Sequence, residues 1–180
     1  MTHEIILAGF GGQGVMVMGQ LLAYAGMLEG AYVSWIPSYG PEMRGGTANC
    51  SVIISEEPVG SPIVAEATAV VAMNLPSFEK FESSLSPGGV MLINSSLIDR
   101  ESKRDDILVY KVPANDIAND LGNARMANMV ALGALNAALG NVVEPSRIME
   151  AFKKIFAKKP AIIAPNEMAI QAGIKYITEK

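Results

Sequence analysis

An open, mostly parallel α/β sheet of the Rossmann-like type, flanked by helices, is the fold this sequence predicts, and three observations predict it. An apolar run at residues 5–8 abuts glycines at Gly9, Gly11, Gly12 and Gly14 and leads into Val15-Met16-Val17-Met18-Gly19-Gln20-Leu21-Leu22, the pattern of strand, tight turn and helix. Residues 69–73 and 90–94 are further apolar runs of the kind found in strands covered on both faces. From residue 114 onward no strand pattern recurs, so the last third is expected to be helical. With 180 residues, the chain fits one domain, 1–180, long enough to bury roughly 70% of its unfolded surface.

In chain order, the glycines read first as G-x-G-x-x-G through Gly9, Gly11 and Gly14. Each can remove a Cβ where the backbone turns sharply, meets a ligand or packs against a strand. The helix that follows, ending near Glu29-Gly30, aims unpaired N–H groups at whatever sits over the turn. A phosphate or carboxylate suits that place, although such a turn also serves tight packing alone. Gly12 and Gln13 lie inside the same turn. The second strand, residues 31–36, ends without the acidic residue that would hold a dinucleotide's ribose, since no carboxylate appears before Glu42.

Residues 37–47 carry two prolines and three glycines and read as a long loop, a length usually reserved for function. It holds Tyr39, Glu42 and Arg44. Arg44, beside Gly45-Gly46, is placed to grip an anion with its planar fork, or to pin the loop through Glu42. Residues 48–55 alternate as a strand and, with so short a link from the strand before, are expected to pair antiparallel at an edge. Asn74-Leu75-Pro76-Ser77 opens a helix that Ser86-Pro87-Gly88-Gly89 closes, and residues 107–112 form another strand after a charged loop. Residues 124–139 read as a helix apolar on every side, Pro145 opens an amphipathic one, and Asn166 is an expected N-cap for the last.

A net charge of −4 with scattered basic residues argues against nucleic acid as a partner. Cys50 alone can form neither an internal disulfide nor a cysteine-ligated iron–sulfur or zinc site, and a reducing cytoplasm suits it. Residues 1–8 lead straight into a strand, so no signal peptide is expected. The only membrane candidate, residues 126–143, contains three asparagines and is read as buried in protein. A mean hydropathy of +0.28 suggests that some apolar surface meets another chain. His3 is the sole histidine, and no nucleophile elbow or G-K-[ST] follows the glycines. The residues therefore describe a chain that binds something and completes a site shared with others.

Three segments in order, Gly9-Phe10-Gly11-Gly12-Gln13-Gly14, Ser38-Tyr39-Gly40-Pro41-Glu42-Met43-Arg44-Gly45-Gly46 and Met126-Ala127-Asn128-Met129-Val130-Ala131-Leu132-Gly133-Ala134, resemble the gamma subunit of 2-oxoacid:ferredoxin oxidoreductases over nearly the whole chain. The Ser38-to-Glu42 form is closer to the 2-oxoglutarate and branched-chain members than to the pyruvate ones, and Met43 departs from the commoner small residue. The resemblance implies a thiamine-diphosphate enzyme that decarboxylates a 2-oxoacid, reduces ferredoxin and releases an acyl-CoA. It places thiamine diphosphate, Mg2+ and iron–sulfur clusters in the partner alpha, beta and ferredoxin-like delta subunits, and coenzyme A beside this chain. The glycine turn read above as an anion site, with Arg44 as a second anchor, fits that role, so the expected binding residues are Gly9, Gly11, Gly12, Gln13, Gly14, Tyr39, Glu42 and Arg44, with no catalytic residue of the chain's own. The rival readings are a free-standing dinucleotide-binding reductase and a sensor of a phosphorylated metabolite.

Overall fold

The computed structural model describes residues 1–39 and 47–180. In chain order the elements are β1 (Thr2–Phe10), α1 (Val15–Leu28), β2 (Tyr32–Tyr39), β3 (Thr47–Ser55), β4 (Ala67–Ala72), α2 (Leu75–Phe81), β5 (Leu85–Asn94), β6 (Leu108–Val112), α3 (Ala114–Asp120), α4 (Ala127–Ala138), α5 (Pro145–Ile155) and α6 (Ile163–Thr178). The strands form one sheet in the order β2-β3-β1-β4-β5-β6. β1, β4, β5 and β6 run parallel, and β3 is antiparallel to both β1 and β2.

The expected antiparallel strand is therefore β3, but it lies one place in from the edge, which β2 forms. The β1–α1–β2 crossover leaves a one-strand gap, and the returning chain fills it by pairing with both neighbours. Residues 37–39, expected in the loop, instead extend β2, and Thr47 starts β3. Pro37 is tolerated there because β2 has no partner on its outer side. β5 likewise begins at Leu85 rather than at residue 90, with a register shift against β4.

Alternation along β1 divides the core. Ile5 and Leu7 point into a large cluster with α1, α4, α5 and α6, whereas Ile6 and Ala8 point into a smaller one beneath α2. α6 begins at Ile163, earlier than Asn166 suggested, because the Asn166 carboxamide donates back to the Ile162 carbonyl at 2.8 Å instead of capping. α4 is covered by α6 through reciprocal glycines: a Cβ at Gly133 would lie 2.1 Å from the Ile170 carbonyl oxygen, and one at Gly173 2.0 Å from that of Val130. No larger residue fits either position without moving a backbone. Among the described residues, no helix is long and apolar enough to cross a membrane.

Cys50 is fully buried beneath α1, donates to the Val15 carbonyl at 3.3 Å, and has its thiol pushed up to about 12 by burial. A thiol so placed is a packing group, not a nucleophile.

Candidate functional site

The chain leaves β1 for β2 in one direction and later reaches β4 on the other side of β1. The sheet's order therefore reverses between β1 and β4, and the crevice above their carboxyl ends is where open α/β sheets bind ligands. The glycine turn sits there. Gln13 N–H donates to the Phe10 carbonyl at 3.1 Å, closing the turn, and Gly12 and Gly14 adopt positive φ values of 94° and 76°. A Cβ at Gly14 would come within 2.2 Å of Asn128 Nδ2, and one at Gly9 within 3.0 Å of Met73 Cβ. Gly9 and Gly14 thus bring β4 and α4 close to the turn.

Four carboxamides stitch the carboxyl ends of the strands together, and backbone groups fix the orientation of each. Gln13 Oε1 accepts the Phe10 N–H at 2.6 Å, which directs Nε2 to the Met73 carbonyl at 3.3 Å. Asn74 Oδ1 caps α2 by accepting Ser77 N–H at 2.9 Å, and Asn74 Nδ2 reaches Gln13 Oε1 at 3.4 Å. Asn94, fully buried, accepts Ala114 N–H at 3.2 Å and donates to the Met73 carbonyl at 3.2 Å and to Asn115 Oδ1 at 2.8 Å. Asn128 donates to the Gly14 carbonyl at 3.3 Å, tying α4 to the start of α1.

This framework surrounds a pocket of about 230 Å³ lined by Gly12, Gln13, Met73, Asn115, Ala124, Arg125, Ala127 and Asn128. α1 and α4 begin at it, neither with a side-chain cap nor with an acidic residue in its first turn. Both ends carry a partial positive charge, and the first-turn N–H groups of α1 have no side-chain partner, whereas in α4 the Ala127 N–H is bonded to the Ala124 carbonyl and the Met129 N–H to Asn128 Oδ1. Among the described residues Arg125 is the only charged one in the lining, and none of them brings a carboxylate to oppose it. Chemically the pocket offers hydrogen-bond donors and a cation to an anion.

Of the sequence-predicted residues, Gly9, Gly11, Gly12, Gln13 and Gly14 come together here, with Gly12 and Gln13 in the lining. Tyr39 ends β2, which β3 separates from β1. Glu42 and Arg44 lie outside the described residues. Arg125, Asn115 and Asn94 were not anticipated. The one available signal was an asparagine directly after each of two buried strand runs, at Asn74 and Asn94.

The model of the family "Pyruvate ferredoxin/flavodoxin oxidoreductase" matches residues 4–176. The chain belongs to that family. It is 42% identical over 176 residues to the ketoisovalerate oxidoreductase subunit VorA of Methanothermobacter thermautotrophicus, covering 98% of this chain and 36% of that protein. The chain thus spans about a third of the length of that relative. It matches the crystal structure of the keto/oxoacid ferredoxin oxidoreductase gamma subunit from Geobacter sulfurreducens with a TM-score of 0.84 at 30% identity, over 99% of both chains. A 2-oxoglutarate:ferredoxin oxidoreductase from Magnetococcus marinus, solved with 2-oxoglutarate, coenzyme A and succinyl-CoA, matches with a TM-score of 0.90 at 25% identity, over 99% of this chain and 31% of that one. Within the family, the β1–α1 turn and the start of α4 correspond to two of the three segments that carried the resemblance in sequence.

Proposed function

We propose that this chain, acting as one domain, is the gamma component of a thiamine-diphosphate-dependent 2-oxoacid:ferredoxin oxidoreductase and holds the phosphate end of coenzyme A in the pocket between α1 and α4. The enzyme converts 2-oxoglutarate or a branched-chain 2-oxoacid to its acyl-CoA and reduces ferredoxin in the cytoplasm. The observation that carries the reading is the convergence of the N-terminal ends of α1 and α4 and of Arg125 on a pocket with no carboxylate among its described lining residues. At about 230 Å³ it admits a phosphate or diphosphate and not a whole nucleotide cofactor. The remainder of coenzyme A, including its reacting thiol, then extends toward the alpha and beta subunits.

Gly9, Gly11, Gly12, Gln13 and Gly14 form the cradle in this reading, and Tyr39, Glu42 and Arg44 are proposed as further binding residues on their sequence alone. This chain's residues bind and orient coenzyme A. They do not perform the redox chemistry, which thiamine diphosphate, Mg2+ and iron–sulfur clusters supply from partner alpha, beta and delta subunits. The lone, buried Cys50 is no cluster ligand, and among the described residues no three His, Cys, Asp or Glu side chains gather as a metal site.

A nicotinamide dinucleotide fits less well. The fingerprint needs an acid at the end of the strand beside β1, and here β3 fills that place, which leaves β2 about 10 Å from β1 at two inter-strand spacings. The test is reconstitution of the complex with and without this chain. Omission abolishes acyl-CoA formation, and Arg125→Ala raises the KM for coenzyme A with the KM for the 2-oxoacid unchanged. Turnover by the isolated chain, or tighter binding of NADH than of coenzyme A, contradicts the reading.

A further inference from the structure

Asn115 is the one carboxamide in the pocket lining whose NH2 group has no acceptor among the described residues. Its orientation follows from hydrogen-bond logic. A backbone N–H only donates and a carbonyl only accepts, so Ala114 N–H and the Met73 carbonyl together fix which end of Asn94 is oxygen and which is nitrogen. Asn94 Nδ2 must then donate to Asn115, and the atom 2.8 Å away can only be Oδ1. The Asn115 NH2 is thereby turned away from Asn94.

We infer that Asn94 is a positioning residue that makes the pocket donor-only, by holding Asn115 with its NH2 toward the ligand, so that the pocket takes an acceptor-only phosphate oxygen and disfavours a group with a proton to donate. The inference rests on the anion-binding reading above and specifies its ligand chemistry. Among the described residues the other polar side chains of the lining agree in sense. Arg125 has donors only, and the Gln13 and Asn128 oxygens already accept the Phe10 and Met129 N–H groups. Because Asn94 is fully buried and does not line the pocket, it acts on a ligand through its neighbours, of which Asn115 is the one that brings a donor with no acceptor of its own among the described residues.

Replacing Asn94 with Asp reverses the logic. A carboxylate keeps the Ala114 N–H bond but presents an acceptor to Asn115, which turns over and exposes its oxygen to the ligand.

The experiment titrates the full chain with inorganic pyrophosphate, read by side-chain amide NMR and by calorimetry. In the wild-type chain the Asn115 NH2 resonances move on saturation and those of Asn94 stay in place. Asn94→Asp and Asn115→Leu each weaken binding about tenfold, the worth of one charge-assisted hydrogen bond. The double variant is no weaker than the weaker-binding single, because both act through the same NH2. Multiplicative losses in the double variant, meaning that Asn94 acts by its new charge alone, overturn the inference, as do Asn115 resonances that do not move. The wild-type spectrum decides the matter even if Asn94→Asp fails to fold. Binding that is lost in Arg125→Ala but indifferent to Asn94 and Asn115 overturns the inference and leaves the anion site standing. Absence of pyrophosphate binding to the wild-type chain overturns both.

Discussion

α1 and α4 run from one end of the sheet to the other, so the same two helices furnish opposite chemistry at their two ends. At the carboxyl end of β1 their N-termini meet at a pocket of about 230 Å³ lined by Arg125 and, among the described residues, by no carboxylate. At the amino end their C-termini border a cavity of about 670 Å³ that includes His3, Glu29, Glu56 and Asn141. The larger space is the poorer anion site. Helix carbonyl ends and two carboxylates line it, and its ionic groups are already engaged: Glu56 pairs with the Met1 amino group, and Glu29 accepts the Glu144 N–H. Burial, with the neighbouring amino group, also holds His3 below its ordinary range and so neutral near pH 7. Volume alone does not mark a functional site. Helix direction and unsatisfied donors do.

The largest expected effect removes both ends of the comparison at once. Gly133→Val drives a side chain into the Ile170 backbone and displaces α4, with a destabilisation of about 3 kcal/mol and a fall in Tm of roughly 6–12 °C by thermal denaturation. Arg125→Ala separates the ends. Coenzyme A binding by calorimetry weakens about 10- to 100-fold, with Tm unchanged, because the side chain serves the pocket and not the core.

Gly12→Ala tests the turn itself. No atom lies within 4 Å of the added methyl group, so the cost is backbone strain at φ 94°, about 1–2 kcal/mol by urea denaturation. At the opposite end Glu29→Gln leaves coenzyme A affinity within about twofold, since exposed charges farther apart than a Debye length are largely screened. Smallest is a pH effect away from both ends. The Arg104 guanidinium holds the Asp106 carboxyl below its ordinary range, so that pair's stabilisation is present above the unfolded value near 3.9 and fades as pH falls through the folded one. The urea midpoint should drop on acidification below about pH 4, and less so in Asp106→Asn.

How much of this was legible in the sequence follows from range. The glycine turn and its helix are local and were readable, as was the βαβ succession, because apolar runs and turn residues declare themselves within a few positions. The place of β3 between β1 and β2 was not, since pairing partners are decided by the crossover that leaves the gap. α3 falls in the stretch expected to be helical, but its bounds were not legible because seven residues after Pro113 give no period to read. Arg125 shows no local signal, and its place in the lining depends on α4 being seated against α6 by Gly133 and Gly173. Asn94 and Asn115 acquire their arrangement only when β5 and α3 are adjacent. The loop that drew most attention in sequence, with Glu42 and Arg44, falls outside the described residues, so those two assignments stand as proposed.

The most direct measurement is backbone amide NMR of the chain titrated with coenzyme A, with the two ends of α1 and α4 read in one spectrum. Binding at the carboxyl end predicts that the amides of Gly12, Gly14, Val15, Ala127 and Asn128 shift together while those of Gly30, Ala31, Gly140 and Asn141 hold still. Shifts confined to the second group, or none at all in the first, would contradict it.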